Sequence, residues 1–207
     1  MERVFAGIQQ FRKDVFPRRR QHFEALAGGQ KPELLLITCS DSRIDPALLT
    51  QTDPGDIFVV RNAGNIVPPY GDGSGAEAAT VQFGIEVLGI RHVAVCGHTH
   101  CGAVAALRQP GSADALPAVK QWIEHARPSL ERGVEVRAAS DALTRTVAAN
   151  VLTQLDHLRT HPSVAAAEAR GELELHGWIY DFERGDLLVS DARGAFASIA
   201  TRRSEAA

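Results

Sequence analysis

The sequence predicts an α/β fold: a central, mostly parallel sheet flanked by helices, with an antiparallel edge strand and an N-terminal helical arm. Three observations carry that expectation. Short, nearly all-apolar runs at residues 33–38 (ELLLIT), 56–60 (DIFVV) and 92–97 (HVAVCG) have the composition of strands buried on both faces. They alternate with longer segments of helical period, the arrangement that builds a parallel sheet with crossover helices. Near the end, ELELHGWIYDF, the turn ERGD and LLVSD together read as a β-hairpin at the sheet edge.

In chain order, residues 2–27 place Val4, Ile8, Phe11, Val15, Phe23 and Leu26 at helical spacings, with a break near Pro17. Arg18, Arg19 and Arg20 read there as a solvated face. After Gly28–Gly29 comes the first strand, which ends in Cys-Ser-Asp-Ser-Arg (39–43); the C-terminal ends of strands are where α/β sheets put their sites. The second strand follows the turn Asp53-Pro54-Gly55 and leads into RNAGNIVPPYGDGSG. This loop has glycines but no GK[ST], and its glycines do not directly follow the strand, which argues against a phosphate cradle. Ser74 and Gly75 are expected to start a helix over 76–88, with Ala79, Phe83, Val87 and Leu88 on its buried side. CGAVAAL should open the next helix after the third strand. PAVKQWIEHA and DALTRTVAANVLTQLDHL are amphipathic, the latter with Leu143, Val147, Val151, Leu155 and Leu158 on one face, while His157 and His161 read as surface residues.

A chain of 207 residues suits a single domain, here 1–207 with 1–27 as the arm. With 44% hydrophobic and 23% charged residues and a net charge of −3, the composition gives no electrostatic case for nucleic acid or an anionic membrane. No apolar stretch is long enough for a span, and the N-terminus mixes acids and bases where a signal peptide would be apolar. Three cysteines, sparse and odd in number, are not a disulfide framework and fit reduced thiols in the cytoplasm. A small-molecule site is the remaining expectation.

Two polar motifs end two of the predicted parallel strands: Cys39-Ser40-Asp41-Ser42-Arg43 and Cys96-Gly97-His98-Thr99-His100-Cys101-Gly102. If the strands are neighbours, Cys39 can meet His98 and Cys101 across the top of the sheet. Thiolates plus imidazole are the donors zinc prefers, and three ligands rather than four leave a position open, as in catalytic sites. Strand alternation turns Cys96 toward the core, and His100 faces away from an ion that His98 and Cys101 share. Asp41 and Arg43 are placed to pair beside the metal. A carboxylate there can orient a zinc-held water whose pKa is lowered to ~7, with Arg43 keeping it ionised and aimed. The chain has no G-x-G-x-x-G for a dinucleotide and neither H-x-E nor P-C-x-x-C for a deaminase, which leaves hydration or hydrolysis of a small electrophile.

C-S-D-S-R followed by C-G-H-x-x-C-G resembles the β-class carbonic anhydrases, and PGDIFVVRNAGNIVPPYG, LPAVKQW, THPSV and LHGWIYD extend the resemblance, to the bacterial and plant-type branch, over most of the chain. The resemblance implies zinc (Zn2+) on Cys39, His98 and Cys101, and Asp41 and Arg43 as the catalytic dyad, with Asp41 orienting the nucleophile or, in a closed form, taking the fourth zinc position. It implies Gln30 as a hydrogen-bonding partner of substrate or product, Phe58 as an apolar pocket residue, and Gly102 as a glycine whose N–H faces the site. Phe83 stands where the plant-type pattern has tyrosine, and Leu36 where the bicarbonate-inhibited branch has tryptophan, so neither that hydroxyl nor that regulatory site is expected. The implied reaction is reversible hydration of CO2 to bicarbonate and a proton. Hydrolysis of CS2 or COS on the same site, or a non-catalytic zinc-stabilised scaffold or bicarbonate sensor, are the rival readings. The implied active species is a homodimer or higher homo-oligomer, with the pocket completed across the dimer interface.

Overall fold

Leu34–Cys39 (β1) and His92–His98 (β3) are buried along their length after the first residue, as all-apolar runs inside a parallel sheet must be, and they pair directly. Ile57–Asn62 (β2) pairs parallel to β1 on its other side, and Glu174–Asp181 (β4) pairs parallel to β3. Asp186–Ser190 (β5) and Phe196–Ser198 (β6) close the sheet antiparallel, giving the order β2-β1-β3-β4-β5-β6. The hairpin is therefore present, but its first strand is a full member of the parallel sheet. The antiparallel edge has two strands because three-residue β6 was too short to leave a sequence pattern.

The computed structural model describes residues 1–71, 75–137 and 141–201, and its contacts divide the chain into two units, Met1–Lys31 and Pro32–Ala207. In the first unit, Glu2–Gln10 (α1) and Phe16–Leu26 (α2) are joined by a π-turn at Phe11–Val15, and Pro17 sits in the first turn of α2, where its missing N–H costs nothing. The helical period thus runs on past the proline. Phe16 and Phe23 stack at 5.6 Å, while Val4, Phe5, Ile8 and Phe11 are exposed. Arg18, Arg19 and Arg20 are exposed as expected.

In the second unit, Ala142–Arg159 (α7) lies on β3 and β4, capped by Asp141, whose carboxylate accepts the Thr144 N–H at 2.6 Å. Val147, Val151, Leu155 and Leu158 are buried and Leu143 partly so, as the period predicts. The approach is close at Gly97: a Cβ there would stand 2.7 Å from Val147 Cγ1 and 3.0 Å from Val151 Cγ2. The other face of the sheet centres on Leu36, Ala94 and Cys96, bordered by half-buried Leu34, Ile57, Trp178, Tyr180 and Leu187.

Two expectations are corrected. The helix over 76–88 is Ala76–Gln82 (α4) followed by a π-turn at Phe83–Val87, and its buried positions are Val81 and Gly84, with Ile85 and Leu88 partly buried. Ala79, Phe83 and Val87 are exposed, because the helix approaches β1 through Gly84, where a Cβ would meet Leu35 Cδ1 at 2.8 Å, and not through its largest side chains. Ser74, expected at its start, lies outside the described residues; Gly75 is the N-cap. His157 and His161 are not surface residues: His157 Nδ1 donates to the Val67 carbonyl at 2.9 Å and buried His161 Nε2 to that of Pro68 at 3.0 Å, satisfying a loop with no ladder partner. Pro46–Thr50 (α3) was not read from the sequence; Asp45 caps it through the Leu48 N–H at 3.1 Å. Gly102–Arg108 (α5), Pro117–Ile123 (α6) and Pro162–Ala169 (α8) complete the helices.

Candidate metal centre

Cys39 and His98 are the last residues of neighbouring parallel strands, so the topology delivers both to one end of the sheet. Cys101 comes from the turn between β3 and α5, where it is the N-cap residue. His100 makes that return possible with φ of 55°, a left-handed conformation that reverses the chain between two groups facing one point. The Cys39 and Cys101 sulfurs and a nitrogen of His98 all lie within 4.8 Å of one another, and all three residues are buried.

The chemistry of the three fits a borderline-soft cation. His98 Nδ1 donates to the Thr99 carbonyl at 2.7 Å, which fixes the tautomer with the Nε2 lone pair free, an arrangement typical of metal-ligating histidine. That Nε2 is fully buried and has no hydrogen-bond partner among the described residues, a costly state unless a cation fills it. Cys39 is held down to about 4, chiefly because the Cys101 thiol donates to it, with the Gly64 N–H at 3.4 Å adding to the effect. Cys101 is correspondingly pushed up, chiefly by the hydrogen bond it donates to Cys39 and further by burial and its neighbour's negative charge, so the two sulfurs share one proton. Two thiolates and an imidazole are a zinc donor set with room for one further ligand.

Asp41 lies beside this group, its Oδ2 3.9 Å from His98 Nε2. Arg43 grips both of its oxygens, through Nε to Oδ1 at 2.8 Å and Nη2 to Oδ2 at 2.7 Å, and the Arg43 backbone N–H adds a third bond to Oδ1 at 3.0 Å. Those bonds hold the Asp41 carboxyl well below the usual carboxylate range. Arg43 is in turn fixed by the His100 carbonyl at 3.2 Å and by the face of Phe182, 4.5 Å from its Cζ.

Cys96 is fully buried on the opposite face of the sheet, its thiol pushed up to about 12 by burial, which removes it from the donor set as expected. The His100 ring turns outward to Glu183 at 2.8 Å. Gly102 opens α5 next to Cys101, with open space where a side chain would be. Phe58 and Phe83 are brought to one another, 6.1 Å between ring centres, but at the level of Leu35, four residues before Cys39 along the sheet. Gln30 is an exposed residue of the first unit.

Sequence reasoning missed the residues that build the floor. Arg61 donates to the Cys39 carbonyl at 3.0 Å and to the Asp41 carbonyl at 2.8 Å, tying the two halves of CSDSR to β2. Gly64 reaches the Cys39 sulfur only because it has φ of 82° and no Cβ, which would stand 3.0 Å from Ala103 Cβ. Asn65, also left-handed, is fully buried with both amide atoms unpartnered among the described residues. All three fall in RNAGN, which spans the end of β2 and the turn after it, and the run carries no mark of the atoms they bind.

The carbonic anhydrase family profile matches residues 34–187. The chain is 45% identical over 203 residues to a carbonic anhydrase of Pseudomonas aeruginosa, covering 97% of this chain and 92% of the relative. It is 43% identical to one of Synechocystis, covering 92% and 71%. Among solved structures, the β-carbonic anhydrase CcaA superposes with a TM-score of 0.88 at 41% identity, covering 96% of this chain and 98% of that one. A structure of two tetrameric β-carbonic anhydrases from Sordaria macrospora gives 0.70 at 27% identity, covering 91% and 95%. A mostly parallel sheet carrying a Cys-His-Cys group at its C-terminal end, matched over nearly its whole length to these proteins, makes this chain a member of the carbonic anhydrase family, in its β class.

Proposed function

We propose that the chain catalyses the reversible hydration of CO2 to bicarbonate and a proton, with zinc held by Cys39, His98 and Cys101. The buried, unpartnered Nε2 of His98 beside two sulfurs carries this reading. Zinc bound there supplies Lewis acidity and lowers the pKa of a water it holds to ~7.

Asp41 and Arg43 are the catalytic dyad. Arg43 keeps Asp41 ionised at neutral pH, so the carboxylate serves as a hydrogen-bond acceptor at Oδ2, the oxygen nearest His98. With both oxygens committed to Arg43, its direction is set before any substrate arrives, and preorganisation of this kind is where electrostatic catalysis gets most of its effect. Gly102 lends its N–H and Gln30 a hydrogen bond to substrate or product. Phe58 and Phe83 wall the CO2 pocket of a second copy: on their own chain they sit four residues short of Cys39, and Phe83 is 44% exposed.

The working species is a homo-oligomer, a dimer or larger, as the apolar exposure of the arm and the tetrameric Sordaria macrospora relatives both support. Residues 1–207 act as one β-carbonic-anhydrase domain with 1–27 as its arm. Three free thiols, two of them zinc donors, suit the reducing cytoplasm. Among the described residues no helix is long and apolar enough to cross a membrane.

Metal analysis of the purified protein combined with stopped-flow CO2 hydration tests the reading. One catalytic zinc per chain with rapid hydration is expected. Zinc-loaded protein that turns over CS2 or COS but not CO2, or none of the three, would overturn it.

A further inference from the structure

Strand β3 carries a histidine at each end. His98 closes it at the centre described above; His92 opens it at the opposite end of the sheet, roughly 20 Å away at ~3.3 Å per residue. Opposite His92 across the parallel pair stands Glu174, and two residues along β4, on the same face, stands His176. Besides the Cys39 group, these three are the one other set of His, Cys, Asp or Glu side chains among the described residues whose ligand atoms all lie within 4.8 Å of one another.

The distances are those of a coordination sphere slightly relaxed. His92 Nδ1 and His176 Nε2 are 3.2 Å apart, and Glu174 Oε2 is 3.8 Å from the first and 3.9 Å from the second. A tetrahedral zinc with bonds of about 2.0–2.2 Å sets its ligand atoms about 3.3–3.5 Å apart. Two nitrogens facing each other at 3.2 Å are satisfied without metal only if one carries the proton between them. The rings stand 5.4 Å apart, and His176 also rests against Trp178 at 6.3 Å, so the second ligand is aimed by packing. The group is open to solvent, with side chains 48%, 72% and 30% exposed for His92, Glu174 and His176.

We propose that His92, Glu174 and His176 form a second divalent-cation site, of the zinc class, at the N-terminal ends of β3 and β4. Two imidazoles and one carboxylate suit zinc over calcium or magnesium, which take oxygen donors. On binding, the proton held between His92 Nδ1 and His176 Nε2 moves to the far nitrogen of its own ring through solvent, and both facing lone pairs turn to the cation. A sphere with three exposed protein ligands leaves the remaining position to water. The site lies too far from His98 to touch the substrate, so its filling is read as metal binding, separate from catalysis.

The test uses the zinc-loaded protein titrated with further zinc by equilibrium dialysis, and in parallel with Co2+. The expected result is a second equivalent in the wild type. Its Co2+ form should show visible d–d absorption without the near-ultraviolet thiolate band that a Cys-ligated ion gives. His92→Gln, Glu174→Gln and His176→Asn should each weaken that equivalent at least ~10-fold while keeping the first, since even indirect ligand partners are worth 10–100-fold. Wild type that stops at one equivalent, a second equivalent that survives His92→Gln and His176→Asn, or cobalt that develops only the thiolate band each overturn the proposal. Loss of the first equivalent after Cys101→Ala with the second retained separates this site from the catalytic one.

Discussion

The two ends of β3 present the same residue type in opposite circumstances. At the C-terminal end His98 is fully buried, its Nδ1 tied to a backbone carbonyl and its Nε2 left with no partner but what two sulfurs and an ion provide. At the N-terminal end His92 is half exposed and has both a histidine and a glutamate within reach. Burial is what separates a ligand set that must be filled from one that only can be. At the buried end the His98 nitrogen lies out of reach of solvent and has no protein partner among the described residues, so it calls for an ion; at the exposed end solvent and a shared proton satisfy the ring nitrogens.

The sharpest way to break this contrast is to remove a buried donor. Cys101→Ala should abolish tight zinc binding at the C-terminal centre and cut CO2 hydration ~10³-fold or more, since the lost electrophile is worth several kcal/mol; metal analysis and stopped flow read both. Asp41→Asn keeps every donor and should keep zinc, but lose roughly 10²-fold in rate, because the acceptor at Oδ2 becomes an amide that Arg43 cannot hold; full activity with zinc retained would remove Asp41 from the mechanism. Gly97→Ala leaves the ligands untouched and drives a methyl into Val147, so a stability loss of about 1–3 kcal/mol in denaturant melts is expected, together with weaker zinc retention. Asp141→Ala should cost α7 about 1 kcal/mol at neutral pH by loss of its cap. The Thr144 N–H holds the Asp141 carboxyl below its ordinary value, so this contribution is present above the ordinary carboxylate pKa and is lost as pH falls toward the lowered one. The mutant and wild type should therefore converge in acid. Smallest of all, His176→Asn at the exposed end should leave CO2 hydration within about twofold of wild type.

The same division explains what the sequence could reveal. Cys39, Asp41, Arg43, His98 and Cys101 were legible because their chemistry is unusual at the end of an apolar strand, and two strand ends of one parallel sheet point the same way. Arg61, Gly64 and Asn65 were not, because two of them act through backbone geometry and the third through two carbonyls, and neither role leaves a residue-type signature. The helix face at 76–88 departs from the expected one for a related reason: large apolar side chains suggest burial, whereas the tightest contact is made by Gly84, the residue with least to bury. Position 92 carries no signal of its own, because a polar residue opening a strand is ordinary and its partners at 174 and 176 are more than eighty residues away in the chain.

The missing side chain at Gly97 also bears on how sequences of this kind can drift. Because α7 rests on the strand with no side chain between, positions 97, 147 and 151 hold one small volume in common, one residue before His98. A larger residue at 97 is admissible only alongside a smaller one at 147 or 151, so these positions are expected to covary among relatives while the donors stay fixed. The double substitution Gly97→Ala with Val147→Ala should accordingly recover part of the stability that Gly97→Ala alone removes.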